Sequence, residues 1–374
     1  MPFNGAGIEP GNKGDRCRLE HNIGQLHGRV ESQVEGMVLT FSRRQMLTSA
    51  GAFAAALGLD KPLAFVGGAC AEATPDPRVG FHKYKVGAIE VIALYDGIWE
   101  KPHDPGFIKN ASVEETQTAL RNAGLPTEFV SIPLTVVVLK LGKDTIMVDA
   151  GSGGGQWQPT AGKLAANMRS AGIDPGKIST ILISHFHPDH IFGLLEKGSN
   201  APVFAKAELV VSASEYKWWT EPGRVEKLPE ARKPLGQRIN AAFPGWKNFT
   251  LVEREREVAP GIRLVSAPGH TPGHSAFHVS SGTHQLLISN DMAYVPALLG
   301  PHPEWQGAYD QDGPLAVETR RKLIDRVIAE KMMICGAHFP FPGLGAFAKD
   351  GSGYVFTPAK RVSEPKRGLR PYAG

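Results

Sequence analysis

Cysteine is scarce, three in 374 residues. Two of them, Cys17 and Cys70, precede the stretch that reads as folded, which leaves Cys335 alone in it. That count excludes a disulfide framework and a thiolate zinc site. Long apolar runs are lacking too. The segment from Thr48 to Leu59 is short and broken by Gly51 and Gly58, so a stable membrane span is not expected. The formal net charge is only +4, and the most basic stretch is the tail from Lys360 to Arg370, so no nucleic-acid partner is indicated. A Gly-x-Ser-x-Gly elbow is absent, which removes that route to a serine nucleophile. The glycine-rich turn Gly151 to Gly155 has no Lys-Ser/Thr after it and reads as a flexible loop, not a phosphate cradle.

Residues 1–36 are polar and glycine-rich and read as disordered, with Met37 available as an alternative start. Ser42-Arg43-Arg44-Gln45-Met46-Leu47, an apolar small-residue segment and the A-x-A pattern Ala71-Glu72-Ala73 follow. Together they resemble a twin-arginine export signal, so residues 1–73 are expected to be a leader and the protein periplasmic or secreted. A folded domain is expected over 80–357, with a tail at 358–374.

Within that domain apolar runs predict strands at Val86–Leu94, Leu134–Leu141, Thr145–Val148, Lys177–Ser184, Val203–Val211, Ile262–Ser266, Ala276–Val279, Gln285–Ser289 and Met332–Ile334. Helical patterns fall at Leu164–Ala171, with Gly172 ending it, and at Glu318–Ile328. Residues 220–248, rich in proline and charge, read as a helical excursion. Strands alternating with helices indicate a single α/β domain.

The chemistry sits at strand ends. His185-Phe186-His187-Pro188-Asp189-His190 follows the apolar run Ile181 to Ile183, and four of those six residues can bind a metal ion. A loop can turn His185 and His187 toward one ion, and a turn at Pro188 can carry Asp189 and His190 to a second. The turns after three later strands carry His270, Asp291 and His338. Five histidines and two aspartates delivered by four strand ends point to a metal centre.

That order of residues resembles the metallo-β-lactamase fold superfamily. The resemblance implies an αβ/βα sandwich of two mixed β-sheets flanked by helices, with the metal site at one edge. It implies that His185, His187 and His270 hold one ion, that Asp189, His190 and His338 hold the other, and that Asp291 bridges them. Leu164 to Met168, Ser184 to His190, Gly269 to His274 and His338 to Gly345 are similar to methyl parathion hydrolase-like enzymes. So are Gly351 to Phe356 and Pro358. Phe192 departs from a glycine common after the motif, and Asn290 from the usual glycine before the bridging aspartate.

Imidazole and carboxylate without thiolate suit Zn²⁺ and also accept Mn²⁺, Co²⁺ or Fe²⁺. Two such ions would make a bridging hydroxide from water and cleave a phosphotriester, aryl ester or lactone by direct attack. Asp189 and Asp291 are the expected catalytic carboxylates, and Tyr294 the hydroxyl for an oxyanion. Phe192, Trp218, Trp219 and Tyr294 are candidates for an apolar substrate pocket. An acyl-homoserine lactonase is the alternative within this class. Outside it stands a mononuclear iron oxidoreductase of the persulfide dioxygenase kind, using mainly His185, His187 and His270. The expected partner is a small molecule, with a homodimer left open.

Overall fold

The computed structural model describes residues 80–359 together with a short antiparallel pairing of Gln33–Val34 with Met37–Val38. That pairing belongs to a separate unit, residues 1–68. The export signal, the A-x-A pattern, Cys17, Cys70 and the basic tail from Lys360 lie outside the described residues.

Two seven-stranded sheets carry the domain. The first runs in chain order: β1 (Phe81–Val86), β2 (Ile89–Pro102), β3 (Phe129–Leu141), β4 (Asp144–Val148), β5 (Thr180–Ile183), β6 (Glu208–Ser212) and β7 (Phe249–Val252). β1 to β4 pair antiparallel and β4 to β7 parallel. The second holds β8 (Arg256–Ala259), β9 (Ile262–Ser266), β10 (Ser275–Ser281), β11 (His284–Ile288), β12 (Met333–Cys335), β13 (Leu344–Asp350) and β14 (Gly353–Pro358). Only β11 and β12 run parallel there.

The apolar runs are continuous because the central strands bury both faces. Successive side chains point to opposite sides of a strand. Val148 and Leu182 of the first sheet thus meet Leu286 and Ile288 of the second in one core between the sheets. Met147, Ile181 and Ile183 face outward instead, into a second core with α2 (Leu164–Ser170), α4 (Ala213–Thr220) and α6 (Lys233–Ala242). Leu287 and Ile334 face a third core under α1 (Val113–Asn122), α7 (Pro296–Leu299) and α8 (Gly313–Ala329). Helices, sheet, sheet, helices is the αβ/βα order expected.

Several boundaries move. The run predicted as Val86–Leu94 is a hairpin: Gly87, at φ +56°, turns the chain between β1 and β2. Val86 and Ile89 face the same core across that turn, so the apolar pattern runs straight through it. Residues 203–207 are turns, and β6 begins only at Glu208. Val203 points to solvent there. The excursion over 220–248 is helical, through α5 (Arg224–Lys227) and α6. Among the described residues no helix is long and apolar enough to cross a membrane.

Candidate metal centre

The carboxyl ends of β4, β5, β9, β11 and β12 converge at one edge of the sandwich, where parallel strands leave their last residues free for function. After β5 the chain stays extended to His187, whose φ and ψ are −77° and 156°. Pro188 enforces this, since a residue before proline is pushed out of the helical region. Phe186 points the other way from its neighbours, into the helix-side core, with its ring 4.7 Å from that of Phe243. With Phe186 turned away into the core, this loop brings His185 and His187 to one side. Pro188 then opens α3 (Pro188–Ile191), whose single turn carries Asp189 and His190.

One ligand atom each from His185, His187, His270 and Asp291 lie within 4.8 Å of one another, and so do those of Asp189, His190 and His338. His187 Nδ1 is 3.0 Å from both His185 Nε2 and His270 Nε2. Asp291 stands between the groups. Its Oδ2 is 3.3 Å from His270 Nε2 and 3.0 Å from His338 Nε2, while Oδ1 is 3.2 Å from His190 Nε2. Asp189 Oδ2 is 3.3 Å from His338 Nε2.

The backs of the rings are fixed by partners. His270 Nδ1 faces Asp310, His190 Nδ1 faces Asp149 at 2.7 Å, and His338 Nδ1 donates to the carbonyl of Pro133 at 2.8 Å. Ser184 Oγ donates to Asp149 and so receives His185 Nδ1–H, at 2.9 Å. Each of these four rings therefore holds a proton at the back and directs its Nε2 inward, where a cation can take the lone pair. Asp149 adopts φ +58° to reach both Ser184 and His190.

Electrostatics separate the two groups. Burial, aided by neighbouring imidazoles, holds His185 and His187 well below the ordinary histidine range. Burial works the same way on His190 and His338, but adjacent carboxylates prevail. Asp291, Asp189 and Asp149 raise His190, and Asp291 with Asp189 pushes His338 up to about 10. The carboxyls of Asp189 and Asp291 are held low by the same histidines against the effect of burial.

This arrangement fits divalent cations. Buried polar atoms without partners are rare and costly. Here His190 Nε2 and Asp291 Oδ1 are both buried and make no hydrogen bond, facing each other across 3.2 Å in the centre. The donor set is nitrogen and oxygen throughout.

A residue without any sequence motif holds the site together. Glu215, fully buried on α4, accepts Phe186 N and Trp219 Nε1 at Oε1, each at 2.9 Å. Its Oε2 accepts Thr271 Oγ1 at 2.6 Å and Gly273 N at 3.0 Å. One carboxylate thereby ties the His185–His190 loop to the His270–His274 loop. His274 stays out of the ligand groups: it donates to the carbonyl of Ala267 and accepts Asp291 N. Burial lowers it to about 3.

The expected aromatic wall is dispersed. Trp219 is core, its indole spent on Glu215, and is not a pocket residue. Phe192 packs on the helix-side core beneath Arg238, whose guanidinium is 4.2 Å from the ring centroid. Trp218 is half-buried and lines a cleft of about 360 Å³ that Asp310 also borders. Tyr294 is buried with its ring 5.6 Å from His270, and its hydroxyl has no partner. Gly307 makes room for that hydroxyl, since a Cβ there would collide with it.

A profile of the Metallo-beta-lactamase superfamily matches residues 132–338. An N-acyl homoserine lactonase from Bacillus sp is 23% identical over 251 residues, covering 62% of this chain and 88% of that one. The solved structure of AidC, a dizinc quorum-quenching lactonase in complex with a product, superposes with a TM-score of 0.68 at 26% identity over 76% of this chain and 99% of that one. The hydrolase AbOPH in the beta lactamase superfamily superposes with a TM-score of 0.70 at 24% identity, over 75% and 98%.

Proposed function

As the chain belongs to the metallo-beta-lactamase superfamily, we propose that it is a dinuclear, zinc-dependent hydrolase that opens lactones and cleaves related esters. The observation that carries this reading is the second group, Asp189, His190 and His338, standing complete beside the first with Asp291 between them. A mononuclear iron oxidoreductase would have no use for it. Lactonases among the relatives, one of them dizinc, support both the metal and the bond.

Two bound divalent cations would supply Lewis acidity, acidifying a water and polarising the carbonyl under attack. His185, His187 and His270 would hold one and Asp189, His190 and His338 the other, with Asp291 shared between them. The chain's other residues prepare the site. Asp310, Asp149, Ser184 and Pro133 fix the imidazole tautomers before any ligand arrives. Asp189, whose side chain keeps some exposure at the mouth, is positioned to accept a proton from the attacking water. The unpartnered Tyr294 hydroxyl is available to the oxygen on which charge develops.

The test pairs metal content with turnover of a homoserine lactone, an aryl ester, a p-nitrophenyl phosphotriester and a β-lactam, with and without chelator. Two zinc ions per chain and chelator-sensitive opening of the lactone or ester are expected. A single iron with none of the four consumed would overturn the proposal.

A further inference from the structure

Next to the metal centre the wall of the 360 Å³ cleft is cationic, with Lys109, Arg224, Lys227 and Arg232 set around Trp218 and Leu228. Two of these charges are already engaged. Lys109 Nζ donates to the carbonyl of Asp310 at 2.6 Å, and Arg224 pairs with Glu221 while stacking 4.6 Å from the Trp218 ring. The single acid on the wall is engaged too: Asp310 spends one oxygen on His270 and the other on Gly307 N and Arg320.

What remains has no protein partner among the described residues. The Arg232 side chain is partly buried and makes neither a hydrogen bond nor an ion pair, and the exposed Lys227 side chain makes none either. Gln311, also on the wall, has its Nε2 buried and without an acceptor. All three present donors and two of them positive charge. An unpaired guanidinium withdrawn from water is costly unless something anionic meets it. The cleft also adjoins the reacting centre, because Asp310 is shared between its wall and His270.

We propose that this cleft receives the acyl part of the substrate and selects one that ends in a carboxylate. Trp218 and Leu228 would pack the methylenes, and Arg232, Gln311 and Lys227 would take the terminal anion. The substrate class is then a half-ester or a carboxylate-bearing lactone rather than a neutral one. This rests on the hydrolase reading above.

The experiment uses the metal-loaded full chain and two esters of similar length, mono-p-nitrophenyl glutarate and p-nitrophenyl pentanoate. The glutarate ester should have the higher kcat/KM, with a preference that weakens as salt is added. Arg232→Gln should cut the ratio of the two about tenfold, through KM. Preference for the neutral ester, or a ratio that survives Arg232→Gln, would overturn the proposal. Calorimetric binding of glutaramate, which carries the carboxylate but no labile ester, separates the two readings. If neither ester turns over but glutaramate binds and loses affinity in Arg232→Gln and Lys227→Gln, the cleft assignment stands and the hydrolase reading fails. If glutaramate fails to bind, or binds those variants as well as the parent chain, the cleft assignment fails whatever the turnover.

Discussion

Asp310 Oδ1 lies 2.9 Å from His270 Nδ1, deep under the surface, with Arg320 and the N–H of Gly307 on its second oxygen. Arg320 is itself fully buried and donates to the carbonyls of Met292, Pro303 and Trp305. Because Met292 follows Asp291, the same guanidinium braces two ligand-bearing segments. Removing the carboxylate frees the His270 ring and strands a buried charge. Asp310→Ala should weaken metal binding by ~10–100-fold. Competition against a chromophoric chelator measures it, and an affinity equal to the parent's would show that His270 needs no such support.

Glu215 offers a sharper mutational contrast. Its carboxylate meets four donors from Phe186, Trp219, Thr271 and Gly273. Glu215→Gln replaces one acceptor oxygen by an amide that cannot accept, so one side of the clamp faces donor with donor. A loss of about 1–3 kcal/mol in stability follows. Denaturant melts of parent and variant decide this, and the variant should also bind metal less tightly. Equal midpoints would mean that the two loops hold their positions without the clamp.

Asn290 departs from the glycine that the resemblance led one to expect before Asp291, and its φ is +46°. Asparagine tolerates that left-handed conformation, and its Nδ2 donates to the carbonyl of Ser275 at 3.2 Å. Asn290→Gly should therefore be mild. Asn290→Val, β-branched at positive φ, should cost ~1–3 kcal/mol and displace Asp291. Thermal melts should rank the parent first, Gly next and Val last; a valine variant as stable as the glycine one would refute the strain.

The pH response of the metal-free protein has a definite sign. Burial opposes charge on His338, but Asp291 and Asp189 prevail and push it up to about 10, and His190 moves in the same direction. A histidine raised in the fold above its unfolded value of about 6.5 contributes stability that is complete below that value. The contribution drains away as pH rises through the folded value. Chelator-treated protein should thus lose melting temperature between pH 6.5 and about 10, whereas metal-loaded protein should not follow it. A flat or rising curve without metal would contradict the electrostatics described.

The ligands were legible because a histidine or aspartate after a buried strand is a short-range pattern. His185 to His190 is contiguous, and His270, Asp291 and His338 each close an apolar run. Their supports were not legible. Glu215 and Asp310 lie 29 and 40 residues from a residue they bond, and nothing in their neighbourhoods marks them apart from solvated acids; Asp149 does follow a buried strand, but its partner His190 is 41 residues on. The aromatic residues were legible only in part, for a different reason. Trp218 and Trp219 are adjacent on a helix, so one must face the core when the other faces the cleft, and composition alone does not choose between them.

Asp291 has one further consequence. Its Oδ2 reaches both histidine groups, His270 of one and His338 of the other, while Oδ1 faces His190 of the second. Because one carboxylate is shared by both groups, fixing it for either group also fixes it for the other. Loading should be cooperative, so that substoichiometric zinc yields a mixture of empty and doubly filled molecules and few singly filled ones. Native mass spectrometry at half an equivalent of metal counts these species directly.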